Sequence, residues 1–213
     1  MIYLTESNYI SKGRTRECYV HPQDSSKCIK IDFSEKGYHQ TTKEAKYYHK
    51  LLKIKPLLKY DFIPSFYGME ETSRGMGGVF DLIRDEDSGE ISKTLGFYLR
   101  NGSIARDQKV WNDALTRFLK RLLDTGVIVR DLNPDNLCAR RRLNGSFELV
   151  AIDGIGHRDF IPLCDYILRI ARLKLHRYIN KKGMNSIPVL LAYTERMTRK
   201  RDARLAAAAK ISP

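Results

Sequence analysis

The chain has 213 residues, of which 42% are hydrophobic and 30% are charged, and its formal net charge is +13. This length and composition favour one globular domain, or two parts that share a cleft, and exclude a disordered or fibrous protein. No segment reaches the roughly 18 uninterrupted apolar residues that a membrane helix needs, and residues 1–6 lack the pattern of a secretion signal. We therefore expect a cytoplasmic protein whose four cysteines are reduced thiols.

The positive charge is concentrated towards the C-terminus. Residues 160–213 contain twelve lysines and arginines and three acidic residues, a net charge of +9, which leaves +4 for the rest of the chain. Such a surface attracts phosphates, acidic lipid headgroups or nucleic acid, although a solvated helix face explains the same pattern. Recognition of an anionic acceptor and peripheral contact with an acidic membrane surface both remain open.

The first part of the chain predicts antiparallel strands followed by a helix. Apolar runs between turn residues predict strands at residues 3–4, 9–10, 18–20 and 27–31. Residues 41–55 have apolar side chains at helical spacing, with Thr41 or Thr42 as N-cap and Pro56 beyond the end. Two more strands are expected at residues 62–68 and 78–83, and we interpret the acidic stretch 85–87 as a linker.

The remainder of the chain predicts helices around a short hairpin. Apolar side chains at helical spacing predict helices at residues 109–123, which Gly126 ends, and at 165–179, with Ile167 facing inward. The Ala-rich residues 203–210 are either helical or frayed. Short β-type segments are expected at residues 127–129 and 149–152. The fold class is therefore α+β.

Residues 130–137 read Arg-Asp-Leu-Asn-Pro-Asp-Asn-Leu and resemble the catalytic loop of protein kinases, H-R-D-x-x-x-x-N. In that loop Asp131 accepts or orients the proton of the acceptor hydroxyl, and Asn136 turns its amide oxygen towards a metal. The alternative is an ordinary turn in which Asp and Asn side chains cap their own backbone.

A second motif makes the turn alternative less favourable. The apolar run that ends in Asp153-Gly154 comes 17 residues after Asn136 and resembles the kinase D-F-G motif, whose Asp binds Mg²⁺. A hairpin turn over residues 140–145 would bring Asn136 and Asp153 together. Because hard oxygen ligands suit Mg²⁺ or Mn²⁺, we predict a metal site at these two residues.

The strands and helix before these motifs carry two further candidate catalytic residues. Lys30 lies inside an apolar strand and matches the kinase lysine that binds the ATP phosphates, and Glu44 follows 14 residues later on the predicted helix. Since a buried lysine needs an acidic partner, we predict a Lys30–Glu44 ion pair. An exposed charge pair on a surface helix is the alternative for Glu44.

The residues expected to bind the nucleotide match the kinase pattern less closely. Of the glycine-rich loop only Gly13 is kept, and we predict that Arg14 and Arg16 contact phosphates in compensation. Asp81 and Ile83, at the end of a predicted strand, are assigned to backbone contacts with adenine. The catalytic loop also has Val129 and Asn133 where protein kinases have His and Lys.

Together these residues resemble the protein-kinase-like superfamily and, within it, the small bacterial PhoP regulatory network proteins of the YrbL type. The resemblance implies a two-lobed fold: an N-lobe of one antiparallel sheet and one helix at residues 1–84, a reduced and mostly helical C-lobe at 85–195, and a basic tail at 196–213. It implies ATP and Mg²⁺ or Mn²⁺ as cofactors and a role in envelope or magnesium-response regulation. Because no A-P-E segment follows Asp153, a small-molecule or sugar hydroxyl is favoured over a protein acceptor.

Two other readings stay open. A pseudokinase, which binds nucleotide without turnover, is favoured by the depleted glycine-rich loop and by Asn133. A nucleic-acid-binding protein is suggested by the basic residues between 194 and 210, but Tyr193 is the one aromatic near them and no DNA-binding motif precedes them. We therefore expect nucleic acid not to be the partner.

Overall fold

Five antiparallel strands form a sheet in the first part of the chain. The computed structural model describes residues 1–33, 39–55, 60–157 and 163–209, with side chains at all of these positions except 197, 201 and 204–209. The sheet has the order β1-β2-β3-β5-β4. Its strands are β1 (Tyr9–Lys12), β2 (Arg16–His21), β3 (Asp24–Asp32), β4 (Phe66–Thr72) and β5 (Gly75–Asp81).

The predicted antiparallel sheet is confirmed, with shifts at its edges. The prediction of a strand at residues 3–4 is wrong, because next to this segment the structure has only an isolated bridge from Ile2 to Thr72. The strand expected at residues 62–68 begins at Phe66 instead, because Phe62 and Ile63 are buried in the main core before the strand starts. The stretch 85–87, which we interpret as a linker, is held by hydrogen bonds, since the Asp85 carboxylate accepts from the Ser92 hydroxyl and from the Arg141 backbone N–H.

A single helix, α1 (Gln40–Ile54), follows the third strand. The residue at its N-cap is His39 and not Thr41 or Thr42. Thr41 is buried one residue inside the helix, where its backbone N–H and its hydroxyl both donate to the Asp32 carboxylate. Pro56, predicted to follow the helix, lies outside the described residues.

The rest of the described chain is mostly helical. Its helices are α2 (Leu95–Arg100), α3 (Gln108–Thr125), α4 (Leu163–Tyr166), α5 (Leu168–Lys182) and α6 (Ile187–Ala209), and its hairpin consists of β6 (Leu137–Arg141) and β7 (Phe147–Ala151). The helix expected at 109–123 is confirmed, and Gly126 ends it in a left-handed conformation with φ +67°. The β-type segment expected at residues 127–129 is not a strand, and within it Val129 forms isolated bridges with Ile155 and Gly156.

The helix predicted at residues 165–179 is two helices. The chain leaves helical geometry at Ile167, which has extended backbone angles and lies between α4 and α5. Ile167 was expected to face inward, but 45% of it is exposed. Further on, α6 runs without a break past position 196, where the basic tail was expected to begin.

One continuous apolar core joins the sheet, α1 and the later helices. It includes Tyr48 of α1 and Phe80 of β5 together with Leu115 of α3, Leu137 of β6 and Leu190 of α6. A smaller cluster covers the other face of the sheet. In the part of the chain that the structure describes, no helix is both long and apolar enough to cross a membrane.

Candidate functional site

The loop at residues 130–136 lies against the segment that follows β7. The hairpin pairs Leu137 with Ala151. Beyond this pair, the Ile152 backbone N–H donates to the Asn136 carbonyl at 2.8 Å, and the Arg130 N–H donates to the Gly154 carbonyl at 2.8 Å. The hairpin therefore brings Asp131, Asn136 and Asp153 into one site, as their spacing predicted.

Gly154 makes this close approach possible. It has φ +74°, and a Cβ atom at this position would lie 2.8 Å from the Asp131 Cβ and 2.9 Å from the Asp131 backbone nitrogen. Any other residue would be strained by the backbone angle and would also push the two segments apart. The glycine after Asp153 thus has a steric role in bringing the two acidic residues together.

Asn136 fixes the orientation of Asp131. Its Nδ2 atom donates to Asp131 Oδ2 at 3.0 Å and to the Asp131 carbonyl at 3.2 Å. The Asn133 side chain accepts from the Asp135 N–H at 3.2 Å, so the capped turn considered as an alternative is also present within this loop. Among the described residues, no donor contacts Asn136 Oδ1 or Asp153 Oδ2.

Arg16 links the sheet to Asp153. Its Nη1 atom donates to Glu44 Oε2 at 2.7 Å, and its Nη2 atom donates to Asp153 Oδ1 at 2.6 Å. Only 6% of the Arg16 side chain and 2% of the Glu44 side chain are exposed. A planar guanidinium can serve two carboxylates at once, and such charge-assisted hydrogen bonds are strong when buried. Arg16 is therefore a buried bridge between two carboxylates in this structure.

Lys30 has other partners than the one predicted. Its ammonium donates to the Ile152 carbonyl at 2.5 Å and lies 4.4 Å from the centroid of the Phe80 ring. The predicted Lys30–Glu44 ion pair is wrong for this structure, because Arg16 takes the Glu44 carboxylate. The alternation of side chains between the two faces of β2 could have indicated that Arg16 and Lys30 lie close together. Cys18 pairs with Lys30, and Arg16 lies two residues before Cys18, so Arg16 and Lys30 emerge on the same face of the sheet.

The charges in this bridge shift the pKa values of Arg16 and Asp153. Burial lowers the pKa of the Arg16 guanidinium, but Glu44 and Asp153 outweigh it and hold the pKa above its ordinary value. Burial raises the pKa of Asp153, but the positive charges of Arg16 and Lys30 outweigh it and hold the pKa below its ordinary value. The carboxylate form of Asp153, which a metal ligand requires, is therefore favoured.

A lysine that the sequence analysis did not single out also reaches the site. Lys182, the last residue of α5, places its ammonium 3.5 Å from Asp131 Oδ1. It follows Lys181 in a strongly basic helix, and nothing in the sequence distinguishes it from its exposed neighbours. Only the packing of α5 shows that it points at the loop.

Gly13, Arg14, Asp81 and Ile83 are the other residues assigned to nucleotide binding, and they lie in the turn between β1 and β2 and at or just after the end of β5. Gly13 closes the turn between β1 and β2 by donating its N–H to the Arg16 carbonyl at 2.8 Å, and Arg14 is exposed. The Asp81 carboxylate accepts from the Ser65 N–H and the Tyr67 hydroxyl, each at 2.7 Å, so its side chain is engaged within the sheet. The Ile83 carbonyl accepts from the Ser92 N–H at 2.9 Å.

A second polar cluster follows the site along the chain. His157 Nε2 lies 2.8 Å from Asp165 Oδ1, and Lys50 of α1 donates to the other oxygen of Asp165. Cys164 Sγ lies near the same carboxylate. Because a lysine already neutralises Asp165, we read this cluster as a tie between α1 and α4. A cavity of about 400 Å³ between α3 and β7 is lined by none of the site residues described above.

The comparison with known protein families covers the whole of this site. The model of the family described as PhoP regulatory network protein YrbL matches residues 2–182, which include every candidate site residue. The chain belongs to the YrbL family. Two family members are each 32% identical to this chain over 168 residues, which is 78% of the chain and 79% of each relative. They are the proteins named "Uncharacterized protein YrbL" of Escherichia coli (strain K12) and of Shigella flexneri. The YrbL match ends at Lys182, so α6 lies beyond it.

Proposed function

We propose that this chain is an ATP-dependent phosphotransferase of protein-kinase-like fold that acts on a hydroxyl acceptor. The observation that carries the proposal is the convergence of Asp131, Asn136 and Asp153 at the end of one hairpin, facing Lys30 from the sheet. Two acidic groups, an amide and a lysine are the side chains that phosphoryl transfer requires. A turn that merely capped its own backbone would not need Lys30 to reach the Ile152 carbonyl across 122 residues.

The arrangement of elements supports the proposed two-lobed fold. An antiparallel sheet with one helix precedes Asp85, and a mostly helical part follows it. In this proposal the nucleotide lies between an N-lobe, residues 1–84, and a C-lobe that begins at residue 85. The C-lobe then extends beyond 195 along α6, which runs unbroken through the proposed start of the tail.

The donor atoms of the site fit a hard divalent cation. Asn136 Oδ1 and Asp153 Oδ2 are oxygen atoms that no hydrogen-bond donor contacts in the described part of the chain. Carbonyl and carboxylate oxygens of this kind suit Mg²⁺ or Mn²⁺. We therefore assign Asn136 and Asp153 to the metal.

Each remaining residue has a role that follows from its position. ATP would supply the phosphoryl group, and Mg²⁺ held by Asn136 and Asp153 would neutralise part of its charge. Asp131 accepts the proton of the acceptor hydroxyl as that oxygen bonds to the terminal phosphorus and the bond from phosphorus to the ADP oxygen breaks. Lys30 binds the phosphates. Glu44 Oε1, buried and without a hydrogen-bond partner among the described residues, is an acceptor that Lys30 takes when ATP is bound.

The residues that would bind the nucleotide match the kinase pattern less closely than those assigned to the metal. In this proposal Gly13 and Arg14, in the turn between β1 and β2, contact the phosphates, and Asp81 and Ile83 lie beside adenine. The acceptor is a small anionic or sugar-like molecule. The description of the family as PhoP regulatory network proteins supports a setting in bacterial envelope or magnesium-response regulation.

The proposal is tested by thermal unfolding with ATP and Mg²⁺. A ligand present at about 100 times its dissociation constant stabilises the folded state by about 2.7 kcal/mol, which raises Tm by roughly 5–10 °C in a chain of this size. We expect this rise for the wild type and for Asp135→Asn, a matched change in the same loop whose carboxylate pairs with Arg100 instead. Asp153→Asn should show no rise in Tm with ATP and Mg²⁺. No rise in the wild type would contradict the proposal.

A nucleotide-binding regulatory module without turnover is the second candidate. It is favoured by one observation: Arg16 binds both Glu44, the predicted partner of Lys30, and Asp153, the carboxylate assigned to the metal. Release of ADP from ATP separates the two candidates. A phosphotransferase given no other acceptor transfers the terminal phosphoryl group to water and releases ADP and phosphate, and Asp131→Asn abolishes this release while the thermal shift persists. A module of the second kind shows the shift with no consumption in either protein.

A further inference from the structure

Lys182 and Asn136 divide the two oxygens of Asp131 between them. Asn136 Nδ2 donates to Oδ2 at 3.0 Å, and the Lys182 ammonium lies 3.5 Å from Oδ1. The Asp131 side chain is 46% exposed and the Lys182 side chain 31% exposed, so both remain accessible from the surface. The ammonium therefore lies beside the carboxylate at the point where an acceptor would approach.

The position of Lys182 is set by a well-defined helix end. Gly183 follows it with φ +64° and donates to the Ile179 and Asn180 carbonyls. The next residue, Met184, is fully buried and donates its N–H to Ile179 at 3.0 Å. Because the chain on both sides is anchored, the direction of the Lys182 side chain follows from the packing of α5.

The site needs a cation on this side of Asp131. A phosphoryl group in transfer carries charge on its three equatorial oxygens, and fixed positive groups stabilise it. Of the two cations that come from the sheet, Arg16 is held by two carboxylates and Lys30 is assigned to the phosphates of ATP. Between Asp131 and Asn136 the loop contains no basic residue.

We propose that Lys182 is a catalytic residue that contacts the transferring phosphoryl group on the acceptor side of Asp131. This inference rests on the proposed function. The acceptor oxygen hydrogen-bonds to Asp131, which places the group in transfer within a few ångströms of the Lys182 ammonium. Lys182 binds this group and leaves ADP to the sheet side of the site.

Calorimetry with MgADP, alone and with aluminium fluoride, tests the role of Lys182 without turnover. Aluminium fluoride mimics the phosphoryl group in transfer, and it should tighten MgADP binding to the wild type. Lys182→Met should weaken binding of the fluoride complex by about 100-fold and leave the affinity for MgADP unchanged. Lys182→Arg, which keeps the charge, should retain most of the affinity. Lys181→Met, which removes an exposed neighbour, should behave as the wild type.

The outcomes separate this inference from the function on which it rests. Equal affinity of the wild type and Lys182→Met for the fluoride complex overturns the role of Lys182 and leaves the proposed function standing. A loss of MgADP affinity or a lower urea midpoint in Lys182→Met assigns the lysine a structural role and also overturns it. A wild type that binds no MgADP overturns both, and a wild type that aluminium fluoride does not affect overturns the inference alone.

Discussion

At the scale of single residues, the structure of the site depends on which cation each buried carboxylate pairs with. Motif spacing pairs Lys30 with Glu44, and the structure pairs Arg16 with Glu44 and with Asp153. An ammonium is a compact point charge, whereas a guanidinium offers donors on two sides that reach separate carboxylates. Arg16 therefore joins β2, α1 and the segment after β7 through one side chain.

Removing the Arg16 guanidinium should destabilise the protein strongly. Arg16→Met leaves Glu44 buried without its cation, and breaking a buried pair in this way costs about 3–5 kcal/mol. The free energy of unfolding from urea titration measures this cost. Arg74→Met is the control, since Arg74 pairs with Glu6 at the surface and such a pair is worth about 0–1 kcal/mol. Equal losses in the two variants would show that Arg16 is not a buried bridge.

At the scale of elements, the hairpin of β6 and β7 positions the site because two short segments can approach each other beyond its open end. Arg130 donates to Gly154, and Ile152 donates to Asn136. The sequence predicts this hairpin, since polar turn residues lie between two short apolar runs. It does not predict how closely the segments approach, which depends on the absence of a Cβ atom at Gly154.

Gly154→Ala should therefore cost more than an ordinary glycine substitution. Gly89 has nearly the same backbone angle, φ +70°, but open space where a Cβ atom would be. Gly89→Ala should lower the free energy of unfolding by the conformational strain alone, about 1 kcal/mol. Gly154→Ala also forces Asp131 away and should lower it by about 3 kcal/mol in total. Urea unfolding of both variants measures the difference. If both substitutions lower the free energy of unfolding by the same amount, contact with Asp131 does not restrict which residue fits at position 154.

At the scale of the whole molecule, one apolar core includes side chains from the sheet, α1 and the later helices. Polar contacts reinforce this continuity. The Ile128 backbone N–H donates to the Tyr47 hydroxyl at 3.0 Å, and Lys50 reaches Asp165 from the same helix. Helix α1 thus contacts the residues before and after the candidate site, and the two parts of the fold should not unfold separately.

We expect a single unfolding transition. Trp111 is the one tryptophan of the chain, is buried in α3 and stacks on Phe147, so its fluorescence reports on the helical part. Far-UV circular dichroism also reports on the sheet. The two signals should share one urea midpoint, because a continuous core gives all-or-none unfolding. Two separated midpoints would show that the sheet and the helices are independently stable.

The sequence by itself predicted that Asp131, Asn136 and Asp153 lie together in the candidate site. The spacing of Asp131, Asn136 and Asp153 along two loops joined by a hairpin is local information, and strand and helix periodicity is local as well. For the same reason the antiparallel sheet, α3 and its end at Gly126 were predicted correctly, and family membership could be inferred from the motifs. The helix start was missed at Thr41, which binds the Asp32 carboxylate of β3 instead of capping the helix, and the helix break was missed at Ile167.

Only the tertiary structure decided which charges meet. Arg16 and Lys30 share one face of the sheet and compete for the same carboxylates, and Lys182 reaches Asp131 from 51 residues further along the chain. Spacing along the chain cannot rank such partners. The free energy of a buried ion pair depends on the distance, the geometry and the burial that the complete fold imposes.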